Sequence, residues 1–165
     1  MTARETTGLR IGPIPPETLR RLRKQGHDDH GHPWQRRVDD AGGAPLRCCL
    51  RDSRPGEEIV LISYAPVRAA GATDPGPYDE TGPVFVHADV CEGYVDAGRY
   101  PAGWVDRPQS LRAYDAEGRI AGGVQLEPGD DRDAAARELL AGPGVAFLHS
   151  RNIVHGCYML EIRRA

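Results

Sequence analysis

Two tripeptides with the same order of side chains, Phe85-Val86-His87 and Phe147-Leu148-His149, contain the only two phenylalanines of the chain. Each is expected to end an apolar strand, with Phe and His on one face and the aliphatic residue on the other. A cysteine follows each histidine, Cys91 four residues after His87 and Cys157 eight after His149. If the two strands run parallel, both imidazoles emerge at one sheet end and both thiols can reach it. His87, Cys91, His149 and Cys157 would then form a Cys2His2 set, with zinc as the cofactor it suits. The same residues allow a metal-free site. There His149 or His155 activates Cys157 as nucleophile, His149 acts as general base and Arg151 clamps an anion. Plain structural thiols are the third reading. His87, Asn152, Tyr78 and Tyr64 are the expected ligand-binding residues of a pocket built from the loops after Tyr64, His87 and His149.

Other chemistry-bearing groups are more local. Cys48 and Cys49 are adjacent, and pairing them with each other would need a strained ring. On an extended strand Cys49 shares a face with Arg47 and Arg51, about 7 Å away along the chain. Their field favours a thiolate, and the alternative is a small residue packed under arginine stems. His27-Asp28-Asp29-His30-Gly31-His32 is the densest run of potential ligands, expected as a mobile surface loop. No Walker loop, dinucleotide fingerprint, nucleophile elbow or HExxH helix is present.

The elements that must hold these groups are short. Leu9-Arg10-Ile11 reads as a strand, and a helix opened by Pro15-Pro16-Glu17 runs through Leu19 and Leu22 to Gly26. Its other face, Arg20, Arg21, Arg23 and Lys24, reads as solvated. Leu46 to Leu50 alternates as a strand, and Ile59 to Tyr64 reads as a buried central one. Ala65–Gly82 is a long Pro/Gly-rich loop before the strand Pro83–His87, and a second irregular stretch runs to Pro108. Ser110–Tyr114 and Arg119–Leu126 flank Asp115-Ala116-Glu117-Gly118, a hairpin signal. Asp130 or Asp131 caps a helix through Leu140, and strands Val145–His149 and Cys157–Ile162 follow. The fold class expected is α+β: a tail over residues 1–8, then one domain over 9–165. Its sheet is mixed and mostly antiparallel, with two helices and long loops.

Composition bounds the partners. The 165 residues carry 21 basic and 24 acidic side chains, a net charge of −3, without the basic excess of a dedicated nucleic-acid binder. Lys24 is the only lysine, a bias that codon usage explains as well as anion recognition does. The longest aliphatic run, Ile59–Ile62, is far short of the ~20 residues of a membrane span, so no membrane partner is expected. No apolar leader is readable after Met1, which with unpaired cysteines points to the cytoplasm. Oligomeric state leaves no sequence signal.

The string Pro45-Leu46-Arg47-Cys48-Cys49-Leu50-Arg51-Asp52, then Pro55-Gly56-Glu57 and Ser63-Tyr64, resembles one set of small bacterial proteins. Pro77-Tyr78, Thr81 to His87, Arg112-Ala113-Tyr114-Asp115 and His149…Asn152…Gly156-Cys157-Tyr158 continue the likeness. Over residues 9–164 the chain resembles domain of unknown function family 1203. Leu46 stands where that family's first motif carries a proline-linked cysteine. The resemblance implies a stand-alone bacterial domain and brings no activity or cofactor with it. The function expected is binding or transformation of a small molecule in a His/Cys/Arg pocket at one sheet end. The alternatives are a zinc-stabilised structural domain, or an interaction module presenting the loops Ala65–Gly82 and Cys91–Pro108.

Overall fold

Short apolar runs separated by Gly and Pro fold into ten strands and three α-helices over residues 7–165, the part of the chain that the computed structural model describes. The strands are β1 (Leu9–Gly12), β2 (Arg37–Asp39), β3 (Pro45–Leu46), β4 (Arg51–Asp52), β5 (Glu57–Tyr64), β6 (Gly82–His87), β7 (Gln109–Asp115), β8 (Ile120–Leu126), β9 (Val145–Asn152) and β10 (Tyr158–Arg164). The helices are α1 (Pro16–Gln25), α2 (Pro66–Ala69) and α3 (Arg132–Leu140). Residues 1–6 of the expected tail lie outside the described residues. Thr7 already hydrogen-bonds the Gly98 carbonyl.

The strands divide into two five-stranded sheets, ordered β1-β10-β9-β7-β8 and β2-β5-β6-β3-β4. The first is antiparallel throughout. In the second, β3 and β6 run parallel with Leu46 opposite Phe85. The architecture is a single α+β domain, as expected from the sequence, but with two sheets in place of one.

Each sheet buries its own apolar face. On the first, Ala136 and Leu140 of α3 pack with Leu111, Leu148, Leu160 and Ile162. On the second, Leu19 and Leu22 of α1 cover Ile59, Ile62, Val84 and Val86. Leu19 and Leu22 are three residues apart, so they lie on one helix face. Gly26 ends α1 in the left-handed conformation at φ 80°, its N–H donating to the Leu22 carbonyl at 3.0 Å. Asp131 caps α3 by accepting from the Ala134 N–H.

Three expectations are corrected. Leu46–Leu50 is not a strand: the chain folds back within Arg47–Leu50, Leu50 N–H donating to the Leu46 carbonyl at 2.9 Å, so that β3 pairs with β4. Leu50 adopts φ 56°, a conformation that side chains other than glycine seldom take and that no residue type there signals. The strands that carry the two histidines, β6 and β9, lie in different sheets and are not parallel neighbours, and His149 falls inside β9 rather than at its end. Arg23 is not a solvated cation: it donates to the carbonyls of His87, Ala88 and Asp89 and fixes the end of β6.

Candidate metal centre

The turn between β3 and β4 places Cys48 and Cys49 side by side facing the second core. β6 delivers His87 from its last residue, and the loop after it returns Cys91. One ligand atom from each of these four lies within 4.8 Å of every other. Cys48 Sγ is 3.8 Å from Cys49 Sγ and 3.4 Å from His87 Nδ1, and Cys49 Sγ is 3.7 Å from the same nitrogen. Zinc bonds of about 2.3 Å to sulfur and 2.0 Å to nitrogen place tetrahedral donors about 3.5–3.8 Å apart. Cys48, Cys49 and His87 therefore have the spacing of three corners of a tetrahedral site, with Cys91 within 4.8 Å of each.

A second layer orients the donors. His87 turns Nδ1 to the thiols and shares Nε2 with Glu57 Oε2 at 2.7 Å. Arg51 grips Glu57 with two hydrogen bonds of 2.8 and 2.9 Å, and its Nε reaches Glu92 at 3.2 Å. The backbone N–H of His87 donates to Cys48 Sγ at 3.2 Å. Arg23, with Trp34 donating to the Ala88 carbonyl at 3.3 Å, straps the segment that leads to Cys91. A carboxylate behind a ligating imidazole fixes its tautomer and raises its basicity. The Arg51–Glu57–His87 chain is built that way.

Electrostatics follow from these contacts. The Arg51 guanidinium, then the Arg54 N–H and His87, hold Glu57 well below the usual carboxylate range despite partial burial. Bonding to the Cys48 and Cys91 sulfurs raises His87 to about 10. Cys49 and Cys91 are pushed in opposite directions. Hydrogen bonds from Cys48 and Cys49 draw Cys91 down, and bonds to Cys48 and Cys91 push Cys49 up. These contacts favour the thiolate at Cys91 and the imidazolium at His87. A divalent thiophilic cation at such a cluster would displace protons on binding.

Cys48 and Cys49 are buried, and Cys91 is partly open to a surface depression rimmed by Glu57, Glu58, Asp89 and Glu92. That rim gives a cation access on a side lined with carboxylates.

The expected quartet of His87, Cys91, His149 and Cys157 is corrected. His87 and Cys91 join Cys48 and Cys49, while His149 and Cys157 stand on the first sheet and outside the cluster. His149 is fully buried, its ring 5.0 Å from those of Tyr114 and Phe147 and 4.9 Å from that of Tyr158. Burial pushes its pKa down, partly countered by Glu161, whose Oε1 is 3.6 Å from Nε2. The His149 ring is enclosed by aromatic side chains and has no exposed surface. Arg151 is a strap rather than an open clamp, donating to the Gly156 carbonyl and pairing with Glu80.

Asn152 and Cys157 line a cleft of about 750 Å³ between the sheets, together with Arg47, Arg107 and His155. Tyr64 is buried against Tyr158, ring centroids 5.6 Å apart. Tyr78 is exposed in a 3-10 turn, Gly76–Tyr78, away from that cleft. The residues that sequence reasoning missed as ligands, Cys48 and Cys49, carried a signal in their adjacency. Reading the stretch as a strand sent them to opposite faces. A tight turn sends both inward.

Fold and site together define a two-sheet α+β protein with a buried Cys3His cluster. The family model described as Protein of unknown function (DUF1203) matches residues 43–164, so the chain belongs to that family. All four cluster residues lie within the match. No curated protein and no solved structure matches the chain. Among the described residues no helix is long and apolar enough to cross a membrane.

Proposed function

We propose that the protein holds a zinc ion at Cys48, Cys49, His87 and Cys91, and that the ion joins the β3–β4 turn to the end of β6. The observation that carries this reading is the mutual approach of four soft donors within 4.8 Å. Three thiolates and an imidazole select zinc among the abundant divalent cations, and four protein ligands leave no open position for substrate. The role is therefore structural, a staple on a sheet whose β3 and β4 have only two residues each.

Cobalt substitution tests the donor set. Reduced protein stripped of zinc and titrated with cobalt(II) is expected to develop the intense visible bands of a tetrahedral thiolate site, saturating at about one equivalent. Zinc should then displace them. Weak octahedral spectra, or no saturation, would overturn the assignment.

A second reading, a small-molecule site, is favoured by the cleft between the sheets. It shares no ligand residue with the metal centre.

A further inference from the structure

The cleft combines two properties that single out a ligand class. Its walls are apolar. Leu61 and Phe85 are cross-strand neighbours on β5 and β6, Pro83 extends that face, and Ile153 and Val154 of the loop after β9 also line the cleft. Leu61 leaves half its surface exposed and Val154 nearly nine-tenths, so the walls are open to solvent and unfilled by the protein's own core. A volume of about 750 Å³ falls within the ~300–1,000 Å³ of small-molecule sites.

At the cleft floor stands Arg47, with 2% of its surface exposed. Its Nε donates to the Tyr158 carbonyl at 2.7 Å and its Nη1 to the Pro45 carbonyl. No carboxylate pairs with it among the described residues. Asp52, in the neighbouring strand, is committed to Arg107 at 2.7 Å and to the Trp104 indole at 3.0 Å. A buried guanidinium bonded only to neutral carbonyls keeps an uncompensated charge. Its planar fork matches a carboxylate in two parallel hydrogen bonds.

We propose that this cleft binds an amphipathic monocarboxylate, its apolar body against Leu61, Phe85 and Val154 and its carboxylate on Arg47. The proposal rests on the small-molecule reading of the cleft and names its ligand class. Apolar walls around one buried cation, with Arg37 stacked outside on the Phe85 ring, suit one charge on a hydrocarbon body better than a polyanion such as a nucleotide.

Calorimetric titration of the protein as isolated, with 3-phenylpropionate and octanoate against their uncharged amides, tests it. The expected result is saturable binding of a carboxylate at least about tenfold tighter than its amide, a difference of the size a charged hydrogen bond supplies. Arg47→Met should remove that preference. Because Arg47 also holds two backbone carbonyls, Leu61→Asp serves as a variant at a half-exposed position. It sets a like charge in the wall and should weaken carboxylate binding more than amide binding. Equal affinity for acid and amide would overturn carboxylate recognition while leaving a small-molecule cleft. No binding by any of the four probes would overturn both.

Discussion

Glu57 and Asp28 carry separate predictions at the scale of single residues. Glu57 touches no metal, yet it fixes the ring of His87 through a 2.7 Å contact. Glu57→Gln is expected to leave the fold intact and to lower zinc affinity by about 10–100-fold, measured by competition with a chromophoric chelator. Unchanged affinity would show that His87 is not a ligand through Nδ1. Asp28 was expected in a mobile loop, but it is fully buried and accepts from the N–H groups of Ser63, His30 and His32. Burial alone would raise its carboxyl; the Ser63, His32 and His30 N–H groups with the His32 ring outweigh that and hold it at about 2. A folded pKa below the ordinary 3.8 contributes stability that is present above pH 3.8 and lost as pH falls through 2. The shift corresponds to about 2 kcal/mol. Asp28→Asn should therefore be less stable than the native chain at neutral pH, in denaturant titrations, and the gap should close between pH 4 and 2. A gap independent of pH would contradict that. Of the site itself, His87 and Cys91 were legible in their spacing. Cys48 and Cys49 were not, because the turn that turns both inward depends on Leu50 in a conformation its residue type disfavours.

At the scale of elements, the turn Asp115–Gly118 shows how far local signals reach. Asp115 Oδ1 accepts from the N–H groups of Glu117, Gly118 and Arg119, each at 3.0 Å, so the β7–β8 hairpin was readable from four residues. The ends of α1 and α3 were readable for the same reason, since their caps are local. What the hairpin packs against was not. Gly118, at φ 96°, lies under the loop after α2, and a Cβ there would fall 2.5 Å from Ala72 Cβ and 2.8 Å from Val67 Cγ1. Gly118→Ala is expected to lower stability by about 2 kcal/mol or more, from strain and overpacking together. A melting temperature equal to that of the native chain would show that the loop yields freely. β2 escaped sequence reading because its three residues, Arg37-Val38-Asp39, are defined by pairing with β5 rather than by any pattern of their own.

The whole molecule is two sheets that meet at the β3–β4 turn, at the Asp52 contacts with Trp104 and Arg107, and at Tyr158 against Tyr64. Leu50 packs in the first core while Cys48 and Cys49 pack in the second, and Arg47 crosses to the Tyr158 carbonyl of β10. That partition was illegible in the sequence, since Phe85-Val86-His87 and Phe147-Leu148-His149 look alike and only long-range pairing tells their strands apart. The Cys/His cluster and the cleft sit on either side of this turn, Cys48 following Arg47 directly. Chelation of the metal is therefore expected to raise amide hydrogen exchange in residues 45–52 and 87–93 first, with β7, β9 and β10 still protected. Uniform loss of protection would mean that the two sheets unfold as one unit.

The most direct test of the central claim is metal content by mass spectrometry on untagged protein purified without chelators or added metal. About one zinc per chain is expected. The metal should be lost in Cys49→Ser and Cys91→Ser and kept in His149→Ala and Cys157→Ser, provided each variant folds by circular dichroism. Metal below about a tenth of an equivalent in the native chain, or full retention in folded Cys91→Ser, would contradict it.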